Sequence, residues 1–359
     1  VLFRSIEQLL AQGCQVTVAG PAMPAQAAQL QALGARFVAW GARKAGRNPL
    51  AEARAFAHLL GILRRERPDV VFASAVKPVI HAMVAARLAG VRRKVALITG
   101  LGYAFTEGGG VGRAVTRAIA STAYGLAFRC ADRVVFQNAD DETLMLRRRV
   151  LPTPAKAAQV NGSGIDLDLY PQKPLPDTRP VFLMIGRLLR DKGVYDYVAA
   201  ARIAKARRPD ARFLLVGAAD DNPTAVSPEE VAAWAREKVV EPWGRLDDVR
   251  PALAACHVFV LPSYREGTPR SALEALSTGR PLIVTDVPGC REVVQDGVNG
   301  RLVPVRDPQA LAETMLELLA DPARLSAMGE ASRRLAGTRF EVSAVNQEML
   351  RLILGENAA

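Results

Sequence analysis

Pro262-Ser263-Tyr264-Arg265-Glu266-Gly267-Thr268-Pro269-Arg270-Ser271-Ala272-Leu273-Glu274 is the stretch whose reading decides the fold. It follows an apolar run, His257 to Leu261, that reads as a buried strand, and it opens a helix running to about Thr278. Thr268 suits an N-cap, and Pro269 suits the first helical position, where its missing N–H would have no partner anyway. Such a strand–loop–helix junction aims free backbone N–H groups and a partial positive charge at whatever sits above it, most often a phosphate. Glu266 falls in the loop and Glu274 more than a turn into the helix. They are too far apart to share a proton, but spaced to hold hydroxyl groups on either side of a bound diphosphate. Taken alone, the pattern also fits an ordinary capped helix with two solvated acids.

Upstream, Gly186-Arg187-Leu188-Leu189-Arg190-Asp191-Lys192-Gly193 follows another apolar strand, 181–185. A glycine at a strand end lets a ligand approach the backbone. Arg187 and Lys192 then put two cations before a helix N-terminus, a cradle for a diphosphate. Both motifs directly follow strands, so both should line one edge of one sheet. Around them the second half alternates strands (181–185, 211–216, 239–243, 257–261, 281–285 and a short one near 301–303) with helices, and beyond Asp307 it reads as helical.

The first half alternates as well. Strands are expected at 15–20, 35–40, 70–73, 94–99, 133–137 and up to Val160, with helices at 24–33, 49–67, 78–88 and 113–130. In helix 49–67, Leu50, Ala53, Phe56, Ala57, Leu60 and Leu63 are expected on one buried face. Continuously hydrophobic strands separated by helices indicate parallel sheets covered on both faces. The expected fold class is α/β, with two doubly wound (Rossmann-like) domains facing across a cleft and ligands at the carboxyl ends of the strands. Residues 1–165 make the first domain and 181–337 the second. Residues 166–180, which hold four prolines behind Asn161-Gly162-Ser163-Gly164, read as the linker. The terminal helix, 338–359, exceeds what the second sheet needs, and the first domain is where it would pack. The chain opens on a helix, 3–12, where an α/β domain usually opens on a strand. A first strand and its loop are therefore expected to be missing.

A chain of 359 residues, half of them apolar and 6% aromatic, suits a two-domain α/β protein rather than a disordered one. No apolar run approaches the roughly 18 residues that span a bilayer. Cys14, Cys130, Cys256 and Cys290 are scattered, as reduced thiols would be, and form no zinc or disulfide pattern. Charge is uneven. Residues 1–165 hold 22 Lys and Arg against 9 Asp and Glu, while the remainder holds 25 against 27. The first half therefore suits an anionic surface partner. Nucleic acid is set aside, because base-stacking aromatics are sparse there and no known binding module is present.

The stretches 186–193 and 262–274, with Gly279-Arg280-Pro281, Asp286-Val287-Pro288-Gly289 and Asp296-Gly297-Val298-Asn299-Gly300, resemble the retaining nucleotide-sugar glycosyltransferases of family 4, which have the GT-B fold. In the first half, Lys77-Pro78 and Thr99-Gly100-Leu101-Gly102-Tyr103 look like the bacterial members that extend glycans on undecaprenyl-diphosphate carriers. The resemblance implies that Arg187 and Lys192 neutralise the donor diphosphate, that Glu266 contacts the transferred sugar and that Glu274 contacts the ribose. It implies that Gly186, Gly267, Thr268, Pro269 and Arg270 line the donor, with the nucleobase near Trp243, Gly244 and Arg245. Lys77, Gly100, Gly102 and Tyr103 would lie on the acceptor side.

The implied activity is metal-independent retaining transfer of a hexose or N-acetylhexosamine from a UDP-sugar to a polyprenyl-diphosphate-linked saccharide, in cell-surface glycan synthesis. The UDP-sugar is the donor substrate, and no cofactor is implied. Another GT-B enzyme, such as a UDP-sugar epimerase or phosphorylase, and a truncated inactive copy remain alternatives. No metal site is expected, since Asp140-Asp141 and Asp220-Asp221 read as surface pairs. His58, His81 and His257 read as structural. Many relatives carry a histidine where the strand here ends in Ile98-Thr99-Gly100, and this chain does not.

The acceptor side implies a membrane. Arg113, Arg117, Arg129 and Arg133 flank an apolar helix (Ala114, Val115, Ile119, Ala123, Leu126, Ala127, Phe128), with Arg92-Arg93-Lys94 and Arg147-Arg148-Arg149 nearby in sequence. A basic amphipathic surface binds an anionic leaflet without spanning it; a core helix under the first sheet would carry the same pattern. The expected location is cytoplasmic, peripheral on the inner face of the membrane.

Overall fold

The computed structural model describes residues 2–355 except 22, 42–48, 103, 104, 106–110, 219, 221 and 223. Twelve strands run in chain order among them: β1 (Thr17–Gly20), β2 (Arg36–Ala39), β3 (Val70–Ser74), β4 (Arg93–Ile98), β5 (Arg133–Phe136), β6 (Ala157–Gln159), β7 (Val181–Ile185), β8 (Arg212–Val216), β9 (Glu241–Gly244), β10 (Val258–Leu261), β11 (Leu282–Thr285) and β12 (Gly300–Val303). Every strand pair is parallel. The chain divides into two compact units: residues up to Val160 with those from Ser343 onward, and Asn161–Val342.

In the second unit the strand order is β12-β11-β10-β7-β8-β9. Side chains alternate along each strand between two cores. Phe182, Met184, Phe213, Leu215, Val258 and Val260 enter one, while Val181, Leu183, Leu214, Phe259 and Leu261 enter the other. A sheet buried on both faces explains why its strands carry unbroken apolar runs instead of an alternation. From β7 the chain proceeds through β8 and β9 on one side, then crosses to β10, β11 and β12 on the other. The order therefore reverses between β7 and β10, whose loops carry the two motifs.

Residues 161–180 belong to the second unit and are fastened to it. Lys173 N–H donates to Thr278 O at 3.1 Å, Arg280 donates to Pro174 O at 3.0 Å, and Arg333 donates to Tyr170 O at 2.9 Å. The four prolines between 171 and 180 thus lie in an anchored strap rather than a free linker.

In the first unit, β3-β4-β5-β6 form one sheet and β1-β2 another. Met349, Leu352 and Ile353 of the terminal helix (Val342–Leu354) pack on Val95, Leu97 and Val135, and Arg93 donates to the carbonyls of Leu352 and Ile353. On helix Pro49–Glu66 the expected face holds in part: Leu63 is buried and Phe56 and Leu60 pack against the core. Ala55, Leu59, Ile62 and Leu63 are buried, whereas Leu50 is 70% exposed and Ala53 and Ala57 face solvent. The buried stripe is centred about one residue from the expected one, and packing against the following helix, Val76–Leu88, selects the face that bears Leu59 and Ile62. Asn138 caps the helix Ala139–Arg147, its side chain accepting from Asp141 N–H at 2.8 Å.

Candidate donor site at the carboxyl edge of the second sheet

Glycine lets three loops meet at this edge. Gly193 is left-handed (φ 72°), and a Cβ there would lie 2.0 Å from the Pro262 carbonyl oxygen. Gly289 (φ 80°) would likewise place a Cβ 2.4 Å from Gly267 O and 2.5 Å from Glu266 O. Only glycine satisfies both the dihedral and the contact. The loops after β7, β10 and β11 consequently abut, fastened by Tyr264 N–H to Asp191 O (2.9 Å) and Glu266 N–H to Pro288 O (3.0 Å).

Lys192 closes the short 3-10 turn Arg190–Lys192 after β7, and its ammonium is ion-paired with Glu266 Oε1. Ser263 Oγ donates to the same oxygen at 2.8 Å. The Glu266 side chain is only 10% exposed. Lys192 has three N–H donors, so one bond to Glu266 leaves it able to serve an anion as well. Arg187 is largely exposed and pairs with Asp220 at 3.2 Å. The first two residues named for the donor diphosphate therefore differ: one is locked to the acid of its own motif, and the other stands on the surface.

Glu274 is buried in the helix Arg270–Ser277. Its Oε1 accepts from Arg270 Nε and from Tyr170 Oη, each at 3.0 Å. Burial raises its pKa above the ordinary carboxylate value, while Arg270 and Tyr170 pull it back. Burial, and then the adjacent Glu274, push the Tyr170 phenol up to about 12, which keeps it a donor at neutral pH. The picture of two solvated acids is wrong for both carboxylates. The capping expectation also needs correction. The helix starts at Arg270, one residue later than expected, and Pro269 occupies the cap position in an extended conformation with no side-chain cap bond. The residue before the helix must be extended, and Pro269 (φ −71°, ψ 114°) meets that requirement. Thr268 instead packs against Gly162, where a Cβ would lie 2.7 Å from the threonine side chain.

Gly186, Gly217 and Gly244 stand side by side at the ends of β7, β8 and β9. Gly217 N–H donates to Gly244 O at 2.9 Å, and a Cβ on Gly217 would meet Gly186 O at 2.0 Å. Trp243 is 37% exposed, and Arg245 is exposed and within 3.8 Å of Asp247. The same sheet edge thus carries Gly186, Lys192, Trp243–Arg245, Glu266–Arg270 and Glu274.

In the first unit, Lys77 pairs with Glu52 at 2.6 Å, and the other Glu52 oxygen lies 3.3 Å from His81 Nε2. Burial lowers the His81 pKa, outweighing the attraction of Glu52. Gly100 (φ 126°) and Gly102 (φ 71°) follow β4, the neighbour of the strand that leads to Lys77. Tyr103 lies outside the described residues.

The basic surface is smaller than the sequence implies. Lys94 is buried and pairs with Asp132 at 2.9 Å, Arg93 is spent on the terminal helix, and Arg133 bonds Ala155 O. Arg92, Arg129 and Arg147–Arg149 remain exposed. On the helix Val111–Cys130, Ala127 and Phe128 join the core, while Val115, Ile119 and Leu126 are 52%, 65% and 51% exposed. No helix among the described residues is long and apolar enough to cross a membrane.

Sequence reading missed Ser263 and Tyr170. Ser263 lies inside the quoted motif but signals nothing until the loop folds Glu266 back onto it. Tyr170 is 104 residues from Glu274, and no local pattern links them.

Two family models match the chain: "Glycosyl transferase 4-like domain" over residues 2–160 and "Glycosyl transferases group 1" over residues 179–321. The chain is 29% identical over 306 residues to N,N'-diacetylbacillosaminyl-diphospho-undecaprenol alpha-1,3-N-acetylgalactosaminyltransferase of Campylobacter jejuni, spanning 82% of this chain and 79% of that protein. It is 27% identical over 277 residues to UDP-Gal:alpha-D-GlcNAc-diphosphoundecaprenol alpha-1,3-galactosyltransferase of Escherichia coli, spanning 73% of this chain and 69% of that protein. Among solved structures, sucrose-phosphate synthase from Thermosynechococcus elongatus matches with a TM-score of 0.81 and 21% identity, covering 98% of this chain and 91% of that one. This likeness establishes the fold, which is GT-B.

Proposed function

Because the chain belongs to the group 1 glycosyltransferases, with a glycosyltransferase 4-like domain ahead of the group 1 domain, we propose that it is a metal-independent, retaining transferase. It moves a hexose or N-acetylhexosamine from a UDP-sugar to a polyprenyl-diphosphate-linked saccharide. The observation that carries this reading is the Lys192–Glu266–Ser263 group, seated where the strand order reverses between β7 and β10. In doubly wound sheets, ligands bind at that point. The names of the Campylobacter and Escherichia relatives, both acting on undecaprenol-diphosphate glycans, supply the acceptor class.

The chemistry follows from the residues. Breaking the bond between the sugar and its diphosphate leaves negative charge on the departing phosphate, and Lys192 and Arg187 neutralise it. Lys192, already held by Glu266, stabilises such charge without reorganising, and Arg187 adds its charge from the surface. Glu266 already holds Ser263 and Lys192 on Oε1, and accepts a sugar hydroxyl on Oε2. Binding thereby couples the recognition of sugar and phosphate through one ion pair. Glu274 accepts a ribose hydroxyl, Trp243 and Arg245 flank the base, and Gly267, Thr268 and Pro269 close on sugar and phosphate.

The exposed Val115, Ile119 and Leu126, with Arg117, Arg129 and Arg147–Arg149, make the first unit a peripheral binder of an anionic leaflet, on the cytoplasmic face. Lys77, Gly100 and Gly102 serve the acceptor. The test is UDP release from a panel of UDP-sugars, with and without a polyprenyl-diphosphate saccharide. Release that requires the lipid acceptor, with product of unchanged anomeric configuration, is the expected result. Release independent of acceptor, or inversion, would refute the reading.

A further inference from the structure

Tyr170 reaches from the strap ahead of β7 to the buried carboxylate of Glu274, and its phenol and Arg270 Nε both donate to Oε1 at 3.0 Å. Two donors on one oxygen fix the carboxylate against rotation and leave Oε2 as its remaining acceptor, in one place. The strap that delivers Tyr170 is itself held by bonds in which the phenol takes no part. Ser277 Oγ donates to Tyr170 O at 2.7 Å, and Arg333 donates to the same carbonyl at 2.9 Å. The phenol can therefore be removed without releasing the strap.

Resting on the reading of Glu274 as the ribose ligand, we infer that Tyr170 is a positioning residue that sets Glu274 to demand a ribose hydroxyl. It thereby sets the preference for a ribonucleotide over a deoxyribonucleotide. A ligand lacking the hydroxyl leaves a buried acceptor without a donor, which costs the full desolvation of that group. A carboxylate free to turn would find another donor and escape part of that cost. One pinned by Tyr170 and Arg270 does not. The chemistry of the two groups agrees: the phenol remains protonated because its pKa is pushed up to about 12, and its bond to Glu274 lowers the pKa of a carboxyl that burial raises.

The test uses binding of UDP, 2′-deoxy-UDP and 3′-deoxy-UDP to the full chain by calorimetry, for wild type, Tyr170→Phe and Glu274→Gln. Wild type should prefer UDP over the analogue that lacks the read hydroxyl by about 10–100-fold. Tyr170→Phe should cut that ratio by about fivefold or more while leaving Tm nearly unchanged, and should move the acid-side loss of UDP binding to higher pH. A ratio unchanged in Tyr170→Phe but collapsed in Glu274→Gln overturns the inference and spares the reading of Glu274. Weaker UDP binding with an unchanged ratio overturns it too, since that is what a merely structural role produces. A ratio unaffected by Glu274→Gln overturns the ribose reading itself.

Discussion

In the second unit, Lys192, Ser263 and Glu266 are tied to one another, and Tyr170 and Arg270 are tied to Glu274. In the first unit, Val115, Ile119 and Leu126 stand exposed beside arginines of which several face solvent. One region spends its polar groups on mutual, directional bonds before any ligand arrives. The other keeps apolar area and charge uncommitted. The difference teaches what each is suited to recognise. A small polar ligand is discriminated by preorganised donors and acceptors, because their bonds exact a penalty from the wrong partner. A lipid surface offers no fixed geometry and is met by area and net charge.

The comparison breaks most readily at Lys192 and Glu266. Lys192→Ala, Glu266→Ala and Arg187→Ala should each lower transfer of radiolabelled sugar by about 10²–10³-fold, the usual loss when one preorganised electrostatic group is deleted. The thermal transition of Arg187→Ala should stay close to wild type, since that side chain is largely exposed. Retention of full transfer by Glu266→Ala would remove the second unit's side of the contrast.

Glu274 gives the next largest effect. Glu274→Gln should weaken UDP binding about 10–100-fold, since a charged acceptor is replaced by a neutral one. The pH dependence has a definite sign. Burial raises the pKa of Glu274 in the folded state, so its own contribution to stability is full below the ordinary carboxylate range and is lost as pH rises through the folded value. The proposed acceptance of a ribose hydroxyl needs the ionised form and runs the other way. The rise in Tm caused by UDP should therefore shrink as pH falls through the raised folded value of Glu274, and Glu274→Gln should flatten that trend.

The first unit is tested by vesicles. Replacing Val115, Ile119 and Leu126 together by serine should weaken binding to phosphatidylglycerol vesicles about tenfold, because each side chain withholds apolar area from the interface. Transfer to a detergent-solubilised acceptor should be preserved. Equal binding by wild type and variant would erase the contrast from the other side. The smallest effect is expected from EDTA, which should change the transfer rate by less than about twofold if Arg187 and Lys192 carry the phosphate charge. Loss of transfer on chelation, restored by a divalent ion, would refute that.

The Rossmann-like repeat was legible because it is local. Apolar runs such as Val181–Ile185 and Val258–Leu261, each followed by glycine and charged residues, mark strands whose loops hold the candidate site residues. Helix faces were harder to read. The alanine-rich Pro49–Glu66 helix carries two neighbouring apolar stripes, and only its packing against the helix Val76–Leu88 selects between them. Basic residues were hardest of all, since Arg92, Arg93 and Lys94 look alike in sequence, yet only Arg92 faces solvent.

The sequence by itself determined the α/β class, the strand positions and the two acids of the second half, because hydrophobic continuity and turn chemistry act over a few residues. Tertiary structure alone decided that Glu266 is closed by Lys192 and Ser263, and that Glu274 is held from 104 residues away by Tyr170. Contacts between distant segments depend on strand order and on glycines that let loops touch. Neither is written in any local pattern.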